Sequence, residues 1–110
     1  MLIANHLRLT DEQIRASLAQ VVLTDMRMQL INTPHTLFIN DAYNAAPTSM
    51  KAAIDFMKTT TLRDEKWLVL GDMLELGDDE LTFHASIAES IEADKVAGVC
   101  LYGPRMKALY

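Results

Sequence analysis

The chain has 110 residues, half of them hydrophobic, with a single cysteine and a formal net charge of −5. That length holds at most one ordinary domain, or an incomplete one beside a remnant of another, and the apolar share argues against a largely disordered chain. The acidic balance disfavours nucleic acid or an anionic membrane as the main partner, and Lys51, Lys58, Arg63 and Lys66 are dispersed among acids. Cys100 alone excludes an internal disulfide and a cysteine-built metal site. Flanked by Val99 and Leu101, it reads as a buried strand residue. The opening run Met1–His6 has no basic leader and is too short to span a membrane, so a reducing cytoplasm is the expected setting.

Residues before Thr10 read as the tail of another helix. Thr10 with Gln13 then predicts a capping box, Leu9 with Ile14 a hydrophobic staple, and Asp11 and Glu12 favour a helix start. Ile14, Leu18, Val21 and Val22 form an apolar stripe of the kind usually buried in a core. Met26, Met28 and Leu30 alternate with Arg27 and Gln29, which predicts a strand over Met26–Ile31. The turn signal Asn32-Thr33-Pro34-His35 joins it to a second strand, Leu37–Asn40, as a hairpin.

Pro47 suits a first helical turn, and Met50, Ala53, Ile54 and Met57 fall on one face of a helix reaching about Lys58. After a polar connection, Trp67–Leu70 predicts a buried strand ended by Gly71-Asp72. Asp78 or Asp79 could cap a helix carrying Leu81, His84, Ile87, Ala88 and Ile91. Val96–Tyr102 predicts a strand interrupted by Gly98 and ended by Gly103-Pro104, and Arg105–Tyr110 begins one more helix. Strand, helix, strand, helix, strand is the pattern of βαβ crossovers in an α/β domain with a mainly parallel sheet. Asn40-Asp41, Gly71-Asp72 and Tyr102-Gly103 would share the carboxyl edge of that sheet, where ligands bind.

Asp41 is the leading candidate there, because a strand-end carboxylate can accept hydrogen bonds from ribose hydroxyls. Its plainer reading is a loop cap. Tyr43 can stack on a base, and Asn44 offers a donor and an acceptor to an adenine edge, or simply bonds its own loop backbone. Glu75 reads equally as a solvated side chain, and His84 as a partly buried helix residue. His6, His35 and His84 suggest no metal site. No Gly-x-x-x-x-Gly-Lys-Ser/Thr loop, Gly-x-Gly-x-x-Gly or His-Glu-x-x-His occurs, which weakens a nicotinamide oxidoreductase reading.

Two longer motifs narrow the choice. Asn40-Asp41-Ala42-Tyr43-Asn44-Ala45-x-Pro47-x-Ser49, followed by Gly71-Asp72-Met73-Leu74-Glu75-Leu76-Gly77, resembles the Mur ligase family. The likeness is to its members that join D-alanyl-D-alanine to UDP-N-acetylmuramoyl-tripeptide, and it covers nearly the whole chain. It implies a three-layer Rossmann-like C-terminal domain over residues 25–110, incomplete at its C-terminus. Residues 1–24 would be a helical remnant of the central ATPase domain and the linker. It also implies that Asp41, with Tyr43 and Asn44, lies at the nucleotide, and that Arg27 reaches the ATP phosphates, where a planar guanidinium suits a transferring phosphoryl group. Asp25-Met26 stand before it where glycine is common in the family, and Ala46 stands where a capping Asn or Ser is common. Asp72 and Glu75 would face the substrate side.

The family makes amide bonds in peptidoglycan precursor synthesis with ATP and Mg2+, held mainly by residues upstream of this chain. The last domain closes on the central one in the process. By this likeness the chain alone is inactive. An alternative of another class is a stand-alone nucleotide- or partner-binding α/β module that shares the fold and no chemistry.

Overall fold

The computed structural model describes residues 6–22 and 24–110, so the part of the expected leading helix tail that falls in residues 1–5 lies outside the described residues. Helix α1, Asp11–Ala19, opens on the expected capping box. The Thr10 hydroxyl accepts from the Gln13 N–H at 3.2 Å, and the Gln13 amide oxygen accepts from the Thr10 N–H at 2.9 Å. Its apolar stripe is not core. Ile14 is half-buried, whereas Leu18, Val21 and Val22 are exposed, Val22 to 92%. The cap, which is local chemistry, forms without burial.

Strands β1 (Gln29–Asn32) and β2 (Leu37–Asn40) make the expected antiparallel hairpin, with Asn32 opposite Leu37. Thr33 closes its turn. The Thr33 N–H donates to the Thr36 carbonyl at 2.9 Å, and the Thr33 hydroxyl bonds both main-chain groups of Thr36. β1 starts three residues later than the alternation predicts, because Met26 and Met28 take left-handed φ values of 58° and 48°.

Helix α2, Pro47–Thr59, buries Met50 and Ile54 and half-buries Ala53 and Met57, as its spacing requires. Ala46 offers no side-chain cap. Instead Ser49 accepts from the Ala46 N–H through its Oγ at 3.1 Å and donates back to the Ala46 carbonyl at 3.0 Å. Strand β3 (Trp67–Gly71) pairs in parallel with β4 (Gly98–Tyr102), in the register Trp67–Gly98 to Gly71–Tyr102. Between them lie a 3₁₀ turn at Gly77–Asp79 and helix α3, Glu80–Ile87, and neither Asp78 nor Asp79 makes the expected side-chain cap. A 3₁₀ turn at Ala88–Ser90 ends this helix early. β4 begins at Gly98 rather than being broken by it, and a Cβ added there would lie 2.4 Å from the Trp67 ring, so the position has no room for a side chain. Arg105–Leu109 is a 3₁₀ segment, not an α-helix.

The core gathers Met50, Ile54, Leu68, Leu70, Met73, Ile87 and Met106, with Val99 and Leu101 packed against it. Burying each such side chain contributes about 1.5–3 kcal/mol. β3 and β4 follow a period of two, so Leu68, Leu70, Val99 and Leu101 face the helices, and Trp67, Val69, Cys100 and Tyr102 take the other, exposed face. Cys100 is therefore exposed, contrary to the expectation from its apolar neighbours. Those neighbours are inward because it is outward.

The parallel βαβ unit is present, and the molecule is a small α/β domain. The strands nevertheless form two separate pairs, β1–β2 and β3–β4, rather than one mainly parallel sheet. β2 and β3 border a groove of about 1170 Å³, floored by α2 residues that include Met50 and Ile54.

Candidate functional site

The carboxyl ends of β2 and β3 open onto this groove, and Asp41, Tyr43, Asn44 and Asp72 all line it. On the β2 side, the short stretch ahead of β1 is fastened to the loop after β2. Asp41 Oδ1 accepts from the Met28 N–H at 2.9 Å, and the Tyr43 N–H donates to the Met26 carbonyl at 3.0 Å. Between those two anchors Arg27 lays its guanidinium over the Tyr43 ring, 4.2 Å from the centroid. At an exposed site such a contact stabilises by about 0.5–1 kcal/mol. Gln29 steadies the same turn, accepting from the Met26 N–H at 3.2 Å and donating to the Asp25 carboxylate at 3.1 Å.

The left-handed residues on either side of Arg27 explain why its neighbourhood departs from the alternation. A non-glycine in this region costs about 1–2 kcal/mol, and here the two anchoring hydrogen bonds hold it there. The resemblance leads one to expect glycine in the stretch where Asp25-Met26 stand, and Met26 of that pair adopts a φ that glycine would adopt freely. Three of the sequence candidates, Arg27, Asp41 and Tyr43, are thus brought together. Asn44 shares the groove, but its Oδ1 accepts from the Ala45 N–H at 2.9 Å, the local bond that its plainer reading anticipated. Asn40 does likewise, accepting from the Ala42 N–H at 3.3 Å.

The β3 side is built differently. Asp72 has a side chain only 13% exposed, and its Oδ1 accepts from the N–H groups of both Arg105 and Met106 at 3.0 Å. Its Oδ2 meets Arg105 Nη1 at 3.5 Å, while Arg105 Nε donates to Glu80 Oε2 at 2.6 Å. The Glu80 carboxylate, and after it Asp72, raises the Arg105 pKa above its ordinary value. Gly103, at φ 109°, lets the chain pass, since a Cβ there would lie 2.4 Å from the Asp72 carboxylate.

Next to Asp72, Met73 is fully buried and its N–H donates to His84 Nε2 at 2.9 Å, with His84 itself wholly buried. Leu74 and Glu75 then turn outward, Glu75 at φ 60°, and only Leu74 of the two borders the groove. Glu80 and Arg105, unremarked in the sequence, belong to this cluster. Their only prior signal was an acid at a helix start and a base after a strand-ending Gly-Pro.

Among the described residues no group of three or more His, Cys, Asp or Glu is arranged to hold a metal ion, and no helix is long and apolar enough to cross a membrane.

The chain matches known proteins over most of its length. The family model described as "Mur ligase, glutamate ligase domain" matches residues 26–110. The UDP-N-acetylmuramoyl-tripeptide–D-alanyl-D-alanine ligase of Bacillus subtilis is 48% identical over 96 residues, which are 86% of this chain and 21% of that protein. The ligase of the same name from Rickettsia prowazekii is 37% identical, over 91% of this chain and 22% of its own length. The chain thus spans about a fifth of the curated relatives it matches.

Among solved structures, MurF from Acinetobacter baumannii aligns with a TM-score of 0.84 at 30% identity, covering 96% of this chain and 23% of that one. The Thermotoga maritima MurF ligase, solved in complex with ADP, shares the fold with a TM-score of 0.79 at 23% identity, over 97% of this chain and 24% of that one. With its two strand-end motifs in place and a family match from Met26 to the last residue, the chain belongs to the Mur ligase family as a C-terminal domain related to MurF.

Proposed function

We propose that this chain is part of an ATP-dependent ligase that adds D-alanyl-D-alanine to UDP-N-acetylmuramoyl-tripeptide in the cytoplasm, and that it is inactive by itself. The observation that carries this reading is the meeting of Arg27, Asp41 and Tyr43 at one strand end, within a domain 48% identical to a ligase of that name. In the proposed reaction a carboxylate of the tripeptide is activated as an acyl phosphate. The dipeptide amine attacks it, and the products are the amide, ADP and phosphate. Residues 1–24 then belong to the central ATP-binding domain and its linker, and residues 25–110 to the C-terminal domain. For that domain we propose the Rossmann-like three-layer form, a reading supported by the parallel β3–β4 pair and its intervening helix.

In this assignment Asp41 accepts a ribose hydroxyl, Tyr43 offers its ring face to the base and Asn44 an amide edge beside it. Arg27 moves off Tyr43 to meet the phosphates when the domain closes on the central one, excluding water from the transfer. Its neighbours suit that move: the arm is held to the loop after β2 by two main-chain anchors and one exposed ring contact, and the Gln29 bonds within its own turn are exposed as well. Magnesium would neutralise phosphate charge during the transfer, and we assign it no ligand in this chain. Glu75 stands outward on the substrate side, and Asp72 acts there by fixing the loop.

The test is ATP-dependent phosphate release by the longer polypeptide carrying this domain, given UDP-muramoyl-tripeptide with and without D-alanyl-D-alanine. Release should depend on the dipeptide and fall about 10²-fold or more in Asp41→Ala and in Arg27→Ala. Release that survives both changes would remove these residues from the site. A folded wild type with no release would leave a binding module without ligase chemistry.

A further inference from the structure

His84 is the one buried polar or charged residue among those described, and it is buried completely. Both of its partners are main-chain groups whose roles cannot change. The Met73 N–H can only donate, so Nε2, 2.9 Å away, must be bare. The Glu80 carbonyl can only accept, so Nδ1, 2.6 Å away, must carry the proton. The imidazole is therefore held neutral and in one tautomer by geometry alone.

From there the contacts return to their origin. Glu80 holds Arg105, Arg105 and the adjoining N–H groups hold Asp72, and Asp72 is bonded covalently to Met73. This ring ties the end of β3, the first turn of α3 and the segment after β4 to one another. It fixes both residues at the root of the Asp72–Gly77 loop. At the far end Leu76 packs against the core, so Leu74 and Glu75 are left to bulge into solvent, Glu75 with left-handed backbone.

We propose that His84 is a positioning residue: by accepting from the Met73 N–H it sets the shape of the Leu74–Leu76 loop and the place at which Glu75 is presented. Its consequence for turnover rests on the ligase reading above, whereas its consequence for the loop does not. A side chain that merely filled space would be replaceable by an apolar residue of similar size. One that positions the loop needs an acceptor aimed at Met73.

Two measurements separate these. In the 110-residue chain, 15N spectra should show His84 as the neutral tautomer protonated at Nδ1. His84→Leu should accelerate amide exchange at Met73 by about tenfold relative to Ile54 in α2, the loss of one buried hydrogen bond. His84→Gln, which keeps an acceptor, should recover most of that protection. In the longer ligase, His84→Leu should raise KM for the dipeptide about tenfold with KM for ATP nearly unchanged, and His84→Gln should restore it.

An Nε2–H tautomer or an imidazolium in the wild type at neutral pH would overturn the proposal. So would unchanged Met73 exchange in His84→Leu, or equal loosening at Met73 and Ile54. If the wild-type ligase shows no turnover, the ligase reading fails, and the tautomer and exchange results still decide the role of His84. Should His84→Leu not fold, the wild-type tautomer and the His84→Gln exchange pattern carry the test.

Discussion

The two sides of the groove are held by opposite means. Around β3, α3 and β4 the polar network sits directly on the core. Met73 and Met106 are wholly buried beside it, and Asp72 is shielded to 13% exposure. Around β1 and β2 no residue is buried, and the bonds linking Arg27's stretch to Asp41 and Tyr43 are exposed. A region with few buried contacts and solvent-accessible hydrogen bonds opens at low free energy, and elements that must move are drawn from such regions. The same strand-end geometry thus gives a rigid shelf on one side and a releasable arm on the other. Under the proposed function, the loop after β3 would present groups while Arg27 travels.

Truncation would break or confirm this contrast with the largest effect. Met73→Ala or Met106→Ala should cost about 2–5 kcal/mol, the range for emptying a closed site in a core. Phe38→Ala on β2, where the ring is 54% exposed, should cost well under half as much. Urea unfolding of the three variants checks it through the midpoints at unchanged slope. Comparable losses at Phe38 and Met73 would mean that the hairpin is as firmly built as the β3–β4 unit.

A second experiment addresses the strain stored at the arm. Met26 has φ 58°, a value glycine adopts without penalty. Comparing Met26→Gly with Met26→Ala removes the side chain from both and leaves only the backbone difference. The glycine variant should be the more stable by about 1 kcal/mol, the cost of a left-handed non-glycine less the extra unfolded-state freedom of glycine. Thermal or urea midpoints measure it. Equal stability would show that the anchoring bonds to Asp41 and Tyr43 let go whenever the strain matters.

What could be read from the residues alone follows the range of the forces involved. The Thr10–Gln13 box, the Thr33–Thr36 turn and the buried face of α2 depend on neighbours within a few positions, and each forms as the pattern indicates. Met28 leaves the strand alternation because its N–H is taken by Asp41, 13 residues away. The ring at Asp72 joins residues 33 and 34 positions apart, a partnership no local pattern encodes. Cys100 turned outward because the face of a strand is set by what covers it, and helices cover only the face opposite. The candidate residues on the β2 loop were visible because they form a contiguous motif. Glu80 and Arg105 were not, being single charges 25 residues apart.

The smallest effect sharpens the contrast through charge. Lys58, at the end of α2, bridges Asp55 at 2.7 Å and Glu92 at 3.0 Å, so it ties α2 to the segment following α3. Hydrogen bonds to Asp55 first and Glu92 second, with their charges, raise its pKa above the ordinary lysine value. A raised folded-state pKa means that the unfolded chain releases this proton first as pH climbs. The stabilisation is therefore complete below about pH 10.4, the unfolded value, and fades as pH passes through the higher folded one. Lys58→Met should be slightly less stable than the parent at neutral pH, with the two stability curves converging above that range. Salt should shrink the gap, since both acids are exposed. Exchange of amides at the end of α2 and near Glu92 should quicken in the variant while β1 and β2 stay unchanged. A response confined to the hairpin would show that the two regions communicate through α2, and the arm carrying Arg27 would then be less independent of the shelf than its exposed bonds imply.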